Sequence, residues 1–458
     1  MRRSMRPSAL ATGIAALLLV PGTGSPAEAP RPDTVTATIP VDHARIVLAP
    51  YVWKPTGEGP GARVEAAMPG AYLKAAFRGS TTLGLVVDGL ANHDCPPPSM
   101  PVIETSVDSG PFRVVPLTRR DEVYTLPLAE GLDAGTPHRV EIYFRAADLT
   151  RQRWTAATTH LRLAGLALEE GGSLLPVPTR PRRAIGFGDS ITEGVGVEGL
   201  FKSWQSLGVN NARASWFPIV CAALGCEYGQ LGTGGHGMSR PIEIPPLPET
   251  WDRYDPTTSR LTDGKLIPEP DYIFCALGTN DFERNITADY TRWLTAMRAA
   301  CPNARFFCVV PPLGFHESEV RAAVAARHKA GDERVHVIDT APLLPAFRTG
   351  QGPTQLAHDG VHPSEFGQGM LAAMIAVQVQ ELLPPAEVAC RGSSAMRPLT
   401  RALRGASPRR TPMLMPTGVA TLGGCRPGRD HAQVLVRDGH RGKQPGHRRR
   451  SGRYAAAG

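Results

Sequence analysis

A chain of 458 residues exceeds one ordinary domain, and 42% hydrophobic with 20% charged residues excludes both a membrane bundle and a wholly disordered chain. The formal net charge of +8 sits at one end: Ala386 to Gly458 holds 15 Lys or Arg against three Asp or Glu, leaving about −4 for the rest. The folded part is mildly acidic, which excludes a general nucleic-acid surface there.

In chain order, Arg2, Arg3 and Arg6 precede an apolar run from Ala9 to Val20, followed by Gly, Ser and Pro and then Ala27-Glu28-Ala29. That order describes a secretory signal peptide over residues 1–29, and hence a secreted or periplasmic protein. The apolar run is too short to span a bilayer comfortably, so no integral membrane association is expected. Between residues 34 and 179, short β-rich runs are separated by Gly, Pro and Asp: Tyr72 to Phe77, Thr81 to Asp88, Phe112 to Val115, Val140 to Phe144 and Leu161 to Leu166. This pattern predicts an N-terminal β-sandwich, jelly-roll-like in kind. Leu175 to Pro181 reads as a linker. From 182 to 385, apolar strands (Ala184 to Phe187, Tyr272 to Ala276, Phe306 to Val310, Val335 to Ile338) alternate with helical stretches (Trp216 to Leu224, Asp289 to Ala300, Glu317 to Ala330, Ser364 to Leu383). The alternation predicts an α/β domain with a parallel sheet covered on both faces. Ser364 is the expected N-cap of the last helix, and Pro384-Pro385 stops it. The basic segment 386–458 has no periodicity and only Tyr454 as an aromatic, so it reads as a disordered tail rather than a nucleic-acid arm.

Eight cysteines occur without a CxxC pair or metal-ligand spacing. Cys275 and Cys308 fall inside strand-like runs and read as small buried hydrophobes; Cys221 and Cys226 are near enough to bridge, although export does not require it.

The chemistry-bearing residues cluster in the α/β part. Gly186-Phe187-Gly188-Asp189-Ser190-Ile191-Thr192-Glu193-Gly194 places Ser190 just past a strand, where ligands of open α/β sheets bind. Alone, Gly-Asp-Ser is an ordinary turn. Asp359-Gly360-Val361-His362-Pro363 supplies what a nucleophilic serine needs: an imidazole as base, with a carboxylate three residues earlier to orient it. His358 and His362 are four apart, as in a zinc pair, but the intervening residues lack the Glu of an HExxH helix, and Gly360 and Pro363 oppose a helix, so no metal is expected. Gly232-Thr233-Gly234-Gly235-His236-Gly237 and Gly278-Thr279-Asn280-Asp281 can supply donors to an oxyanion.

Gly188-Asp189-Ser190, Gly235, Asn280 and Asp359-x-x-His362, in this order over about Arg182 to Pro385, resemble the four blocks of SGNH (GDSL-like) hydrolases. The resemblance implies a flavodoxin-like three-layer fold, Ser190 as nucleophile and His362 as base, with Asp359 as the acid. It also implies an oxyanion hole from the Ser190 and Gly235 amides and the Asn280 side chain. Asp189 and Asp281 are then expected to hold loops rather than react. A β-rich region before a domain reading GDSITEG…SWFPIVCAALG…GGHGMSR…LGTNDF is similar to carbohydrate esterase family 2, whose members deacetylate polysaccharides such as xylan. The sequence departs from some members by keeping Asp359 where they orient the histidine with a backbone carbonyl. The expected activity is therefore a cofactor-free carboxylic ester hydrolase acting on an acetylated carbohydrate or another small ester. A lipase- or thioesterase-like hydrolase and a non-catalytic carbohydrate-binding protein are the alternatives. Trp204, Trp216 and Trp251 are candidate sugar-stacking residues, with core packing as the competing reading.

Overall fold

The computed structural model describes residues 36–155, 157–199, 207–242, 244–340, 343, 356–357 and 359–384. The expected signal peptide, the basic tail, Trp204 and His358 lie outside them. Among the described residues the strands form three sheets.

Two sheets precede the linker, six strands in each, and every pairing within them is antiparallel. One runs Lys54–Thr56, Arg63–Ala66, Leu161–Glu169, Leu83–Asp88, Val123–Ala129, with Thr36–Pro40 also on Leu161–Glu169. The other runs Ser173–Leu175, Tyr72–Arg78, His138–Ala146, Val102–Val107, Arg113–Pro116, with Val47–Leu48 also on Tyr72–Arg78. Alternation puts Leu85, Val87, Leu163 and Leu168 of the first sheet into one core with Leu73, Phe77, Val140 and Ile142 of the second.

The third sheet is parallel, in the order Cys226–Gly232, Arg182–Gly188, Tyr272–Ala276, Arg305–Val309, Val335–Ile338. Numbered along the chain this is 2-1-3-4-5, the doubly wound flavodoxin-like order, with its switch point beside the first strand. The three inner strands are mostly apolar on both sides, as a sheet covered on two faces requires. Ala184 and Phe274 face Trp216, Phe217, Val220, Ile375 and Val379 of the helices Trp216–Leu224 and Glu365–Leu382. Their neighbours Ile185 and Ile273 face Trp293, Leu294, Val320 and Ala323 of the helices Thr287–Ala300 and Glu317–Lys329. Each fully buried aromatic here contributes about 1.5–3 kcal/mol by leaving water.

The strand Cys226–Gly232 has no counterpart among the sequence-predicted elements, because Glu227, Gly229 and Gln230 interrupt its apolar character. Tertiary partners explain them. Glu227 accepts from Lys74 Nζ at 2.8 Å and from the Tyr72 hydroxyl, both on the N-terminal sheets. Gln230 Nε2 donates to the Ala212 carbonyl at 3.2 Å. A Cβ at Gly229 would come within 2.1 Å of the Pro50 carbonyl, so only glycine lets the two backbones meet. This edge strand is where the N-terminal sheets pack on the α/β part. Cys221 and Cys226 are buried thiols and do not form a disulfide.

Candidate active site

Register aligns the ends of three strands: Gly188 pairs with Gly232 on one side and Ala276 on the other. The segments that follow therefore leave the sheet side by side at the switch point. The first begins with Asp189, whose Oδ1 accepts the Ile191 N–H at 2.9 Å and so caps the single helical turn Ser190–Glu193. Burial pushes the Asp189 carboxyl up to about 6 despite that donor. Ser190 opens the turn with its hydroxyl half-buried.

His362 arrives from 172 residues away, and its Nε2 lies 2.9 Å from Ser190 Oγ. The closing helix makes this possible. Its N-cap Ser364 accepts from the Gly367 N–H, as the sequence predicts. Gln368, fully buried, donates to the Ile191 carbonyl at 3.0 Å and accepts the Trp216 N–H at 2.9 Å. The Glu365 N–H donates to the Val197 carbonyl. The nucleophile turn and the histidine loop are thus tied by one side chain and one backbone bond.

Asp359 completes the line: Oδ2 is 2.6 Å from His362 Nδ1, while Oδ1 accepts the Val361 and His362 N–H groups at 2.8 and 2.7 Å. Burial would raise this carboxyl, but the imidazole and the two amides outweigh it and bring it down to about 2. An ionised Asp359 assigns the proton to Nδ1, which leaves Nε2 to accept the Ser190 hydroxyl proton.

Three candidate donors lie on the segments that follow these aligned strand ends. Gly235 has φ +74, a conformation that suits glycine, and neither its N–H nor that of Ser190 has an acceptor among the described residues. Asn280 Nδ2 donates to the His236 carbonyl at 3.1 Å, which orients the amide and leaves its second N–H. Asp281, with no exposed surface, takes the Met238, Ser239 and Arg240 N–H groups at 2.9, 2.7 and 3.0 Å. The structure therefore brings Ser190, His362 and Asp359 together, with Gly235 and Asn280 on the adjoining loops. Among the described residues, no group of three or more His, Cys, Asp or Glu is placed to hold a metal.

The tryptophan candidates fare differently. Trp216 is fully buried and donates Nε1 to Thr192 Oγ1 at 3.1 Å, so it is core. Trp251, 7% exposed, lines a cavity of about 460 Å³ that includes Thr233 and His236 but neither Ser190 nor His362. On the loop that carries Asn280 and Asp281, Phe282 is 61% exposed, with φ +49 and the Arg240 guanidinium 4.2 Å over its ring. Its position right after Asn280-Asp281 was the only sequence signal for it.

A hydroxyl, an imidazole and a carboxylate thus lie in line at the switch point of a doubly wound sheet. Residues 187–370 match the GDSL-like Lipase/Acylhydrolase family. A relative from Cellvibrio japonicus, an acetylxylan esterase / glucomannan deacetylase, is 28% identical over 218 residues, 44% of this chain and 56% of its own. The chain thus spans about half the length of that curated relative. Among solved structures, a family two carbohydrate esterase from Cellvibrio japonicus aligns over 76% of this chain and 98% of its own, at 19% identity and a TM-score of 0.60. A family two carbohydrate esterase from Clostridium thermocellum in complex with cellohexaose aligns over 73% and 98%, at 19% identity and 0.58. These likenesses establish the fold. No helix among the described residues is long and apolar enough to cross a membrane.

Proposed function

We propose that this chain is a secreted serine esterase that removes acetyl groups from a carbohydrate, through Ser190, His362 and Asp359. The observation that carries the reading is the unbroken line from Ser190 Oγ through His362 to Asp359, at 2.9 and 2.6 Å. In this mechanism Ser190 Oγ attacks the ester carbonyl as His362 Nε2 takes its proton. The oxyanion is met by the Ser190 and Gly235 amides and the second N–H of Asn280. Collapse expels the sugar alkoxide, which receives the proton from His362, and leaves an acetyl-serine. Water activated by the same imidazole then releases acetate. Phe282, exposed on the loop that carries Asn280, offers an apolar face for a sugar ring. The name of the Cellvibrio relative supports acetylated polysaccharide as substrate. The two N-terminal sheets belong to this proposal as a β-sandwich that shapes the cleft, residues 1–29 as a signal peptide, and residues 386–458 as a tail that catalysis does not need.

Acetate release from acetylated xylan and glucomannan, alongside turnover of 4-nitrophenyl acetate and octanoate, tests the reading. The proposal expects acetate release and at least tenfold preference for the acetyl ester. Preference for octanoate would move the substrate class to lipids, and binding of glycans with no turnover would make the chain a carbohydrate-binding protein.

Asn280→Ala removes one preorganised donor and should lower kcat about 10²- to 10³-fold with KM within about threefold, because the oxyanion exists only after attack. An unchanged kcat would take Asn280 out of the oxyanion hole.

A further inference from the structure

We propose that Arg153, a residue of the N-terminal part, positions the oxyanion loop through Glu193; the proposal rests on the esterase reading above. Arg153 reaches the last residue of the nucleophile turn, with Nη1 2.5 Å from Glu193 Oε1 and Nη2 3.2 Å from Oε2. Both side chains are sealed from water, 1% and 2% exposed. Glu193 Oε2 in turn accepts the Gly234 N–H at 2.6 Å. Gly234 immediately precedes Gly235, whose amide is the proposed oxyanion donor.

Gly234-Gly235 has no side chain to restrict it, so by itself this stretch would sample many conformations and aim its amides poorly. An oxyanion hole works only if its donors are oriented before reaction. The carboxylate of Glu193 fixes the peptide plane ahead of Gly234, and the next plane carries the Gly235 N–H. Packing reinforces the clamp. A Cβ at Gly232 would lie 2.4 Å from the Glu193 nitrogen, and one at Gly234 would lie 3.0 Å from Leu149 Cδ2. The segment carrying Leu149 and Arg153 therefore rests directly on the loop. A bidentate guanidinium orients both oxygens of Glu193 and pairs its charge in a dry site. The N-terminal part thereby contributes to the catalytic geometry itself.

Glu193→Gln, Arg153→Gln and Arg153→Lys in the full chain test this, read by kinetics on 4-nitrophenyl acetate and by amide hydrogen exchange over residues 232–238. In Glu193→Gln and Arg153→Gln, kcat should fall about 10- to 100-fold with KM within about threefold, and exchange over that segment should accelerate at least about tenfold. Arg153→Lys, keeping the charge, should recover at least about fivefold of the Arg153→Gln loss. Unchanged exchange over 232–238 in Glu193→Gln overturns the clamp, and so does acceleration spread evenly through the parallel sheet, which a purely structural staple would produce. Failure of the parent to hydrolyse any ester would sink the esterase reading, while the exchange measurement still decides the clamp. If a single variant does not fold, Arg153→Gln with Glu193→Gln, which leaves no unpaired charge, is measured the same way.

Discussion

Ester hydrolysis by Ser190→Ala is expected to fall at least about 10⁴-fold in kcat, to near background, while the melting temperature stays within about 3 °C of the parent. The structure explains why the two effects separate. The side chain contributes one hydrogen bond, to His362, and the turn it opens is capped by Asp189 rather than by Ser190 itself. Alanine suits the first turn of a helix and adds no bulk at a half-buried position. The chemistry loses its attacking atom, and the remaining donors can stabilise an oxyanion only for direct attack by water. Turnover of the variant at even a tenth of the parental rate would remove Ser190 as the nucleophile.

His362→Ala should be as damaging as loss of the serine, because the members of one catalytic unit are not additive. Asp359→Ala should lower kcat about 10³-fold, at least tenfold less than His362→Ala, with KM within about threefold. Without the carboxylate the imidazole keeps Nε2 near Ser190 but loses the group that selects its tautomer. The variant also loses an acceptor for two loop amides, so part of its defect is positional. Asp359 titrates at about 2 in the folded protein, below the usual value of about 4. Its contribution to stability is therefore complete above about pH 4 and is lost as pH falls toward 2. Melting curves of parent and Asp359→Ala should differ at neutral pH and converge only as pH falls through about 2. Equal kinetic losses for the two variants would mean that the carboxylate is indispensable to the base; parental kcat in Asp359→Ala would take it off the catalytic line.

Legibility of the α/β part followed the character of its strands. Tyr272–Ala276 and Val335–Ile338 and the helix Trp216–Leu224 match their expected bounds, since runs buried on both faces announce themselves by composition. Several strands that polar residues interrupt have no expected counterpart, Cys226–Gly232 and Val102–Val107 among them. Cys226–Gly232 carries Glu227 and Gln230, and Val102–Val107 carries Glu104, which is 1% exposed and ion-paired with Arg145 and Arg213. A local window scores such residues as exposed, because their partners lie from 15 to 153 residues away in the chain.

By itself the sequence determined the chemistry on offer: a serine after an apolar strand, a histidine with a carboxylate one loop turn before it, and glycine-rich and Asn-bearing segments between them. Those features are local, since each depends on a few adjacent residues and on turn and capping preferences that act at short range. Only the tertiary structure decided which of them meet. The 2-1-3-4-5 strand order and its register set Gly188 beside Gly232 and Ala276, and Gln368 ties the closing helix to the nucleophile turn. Glu193, conspicuous in the motif but without a role there, acquires one only when Arg153 arrives from 40 residues upstream. Buried charges and glycines at close backbone contacts are unfavourable taken alone, so their purpose becomes readable only once their partners are in place.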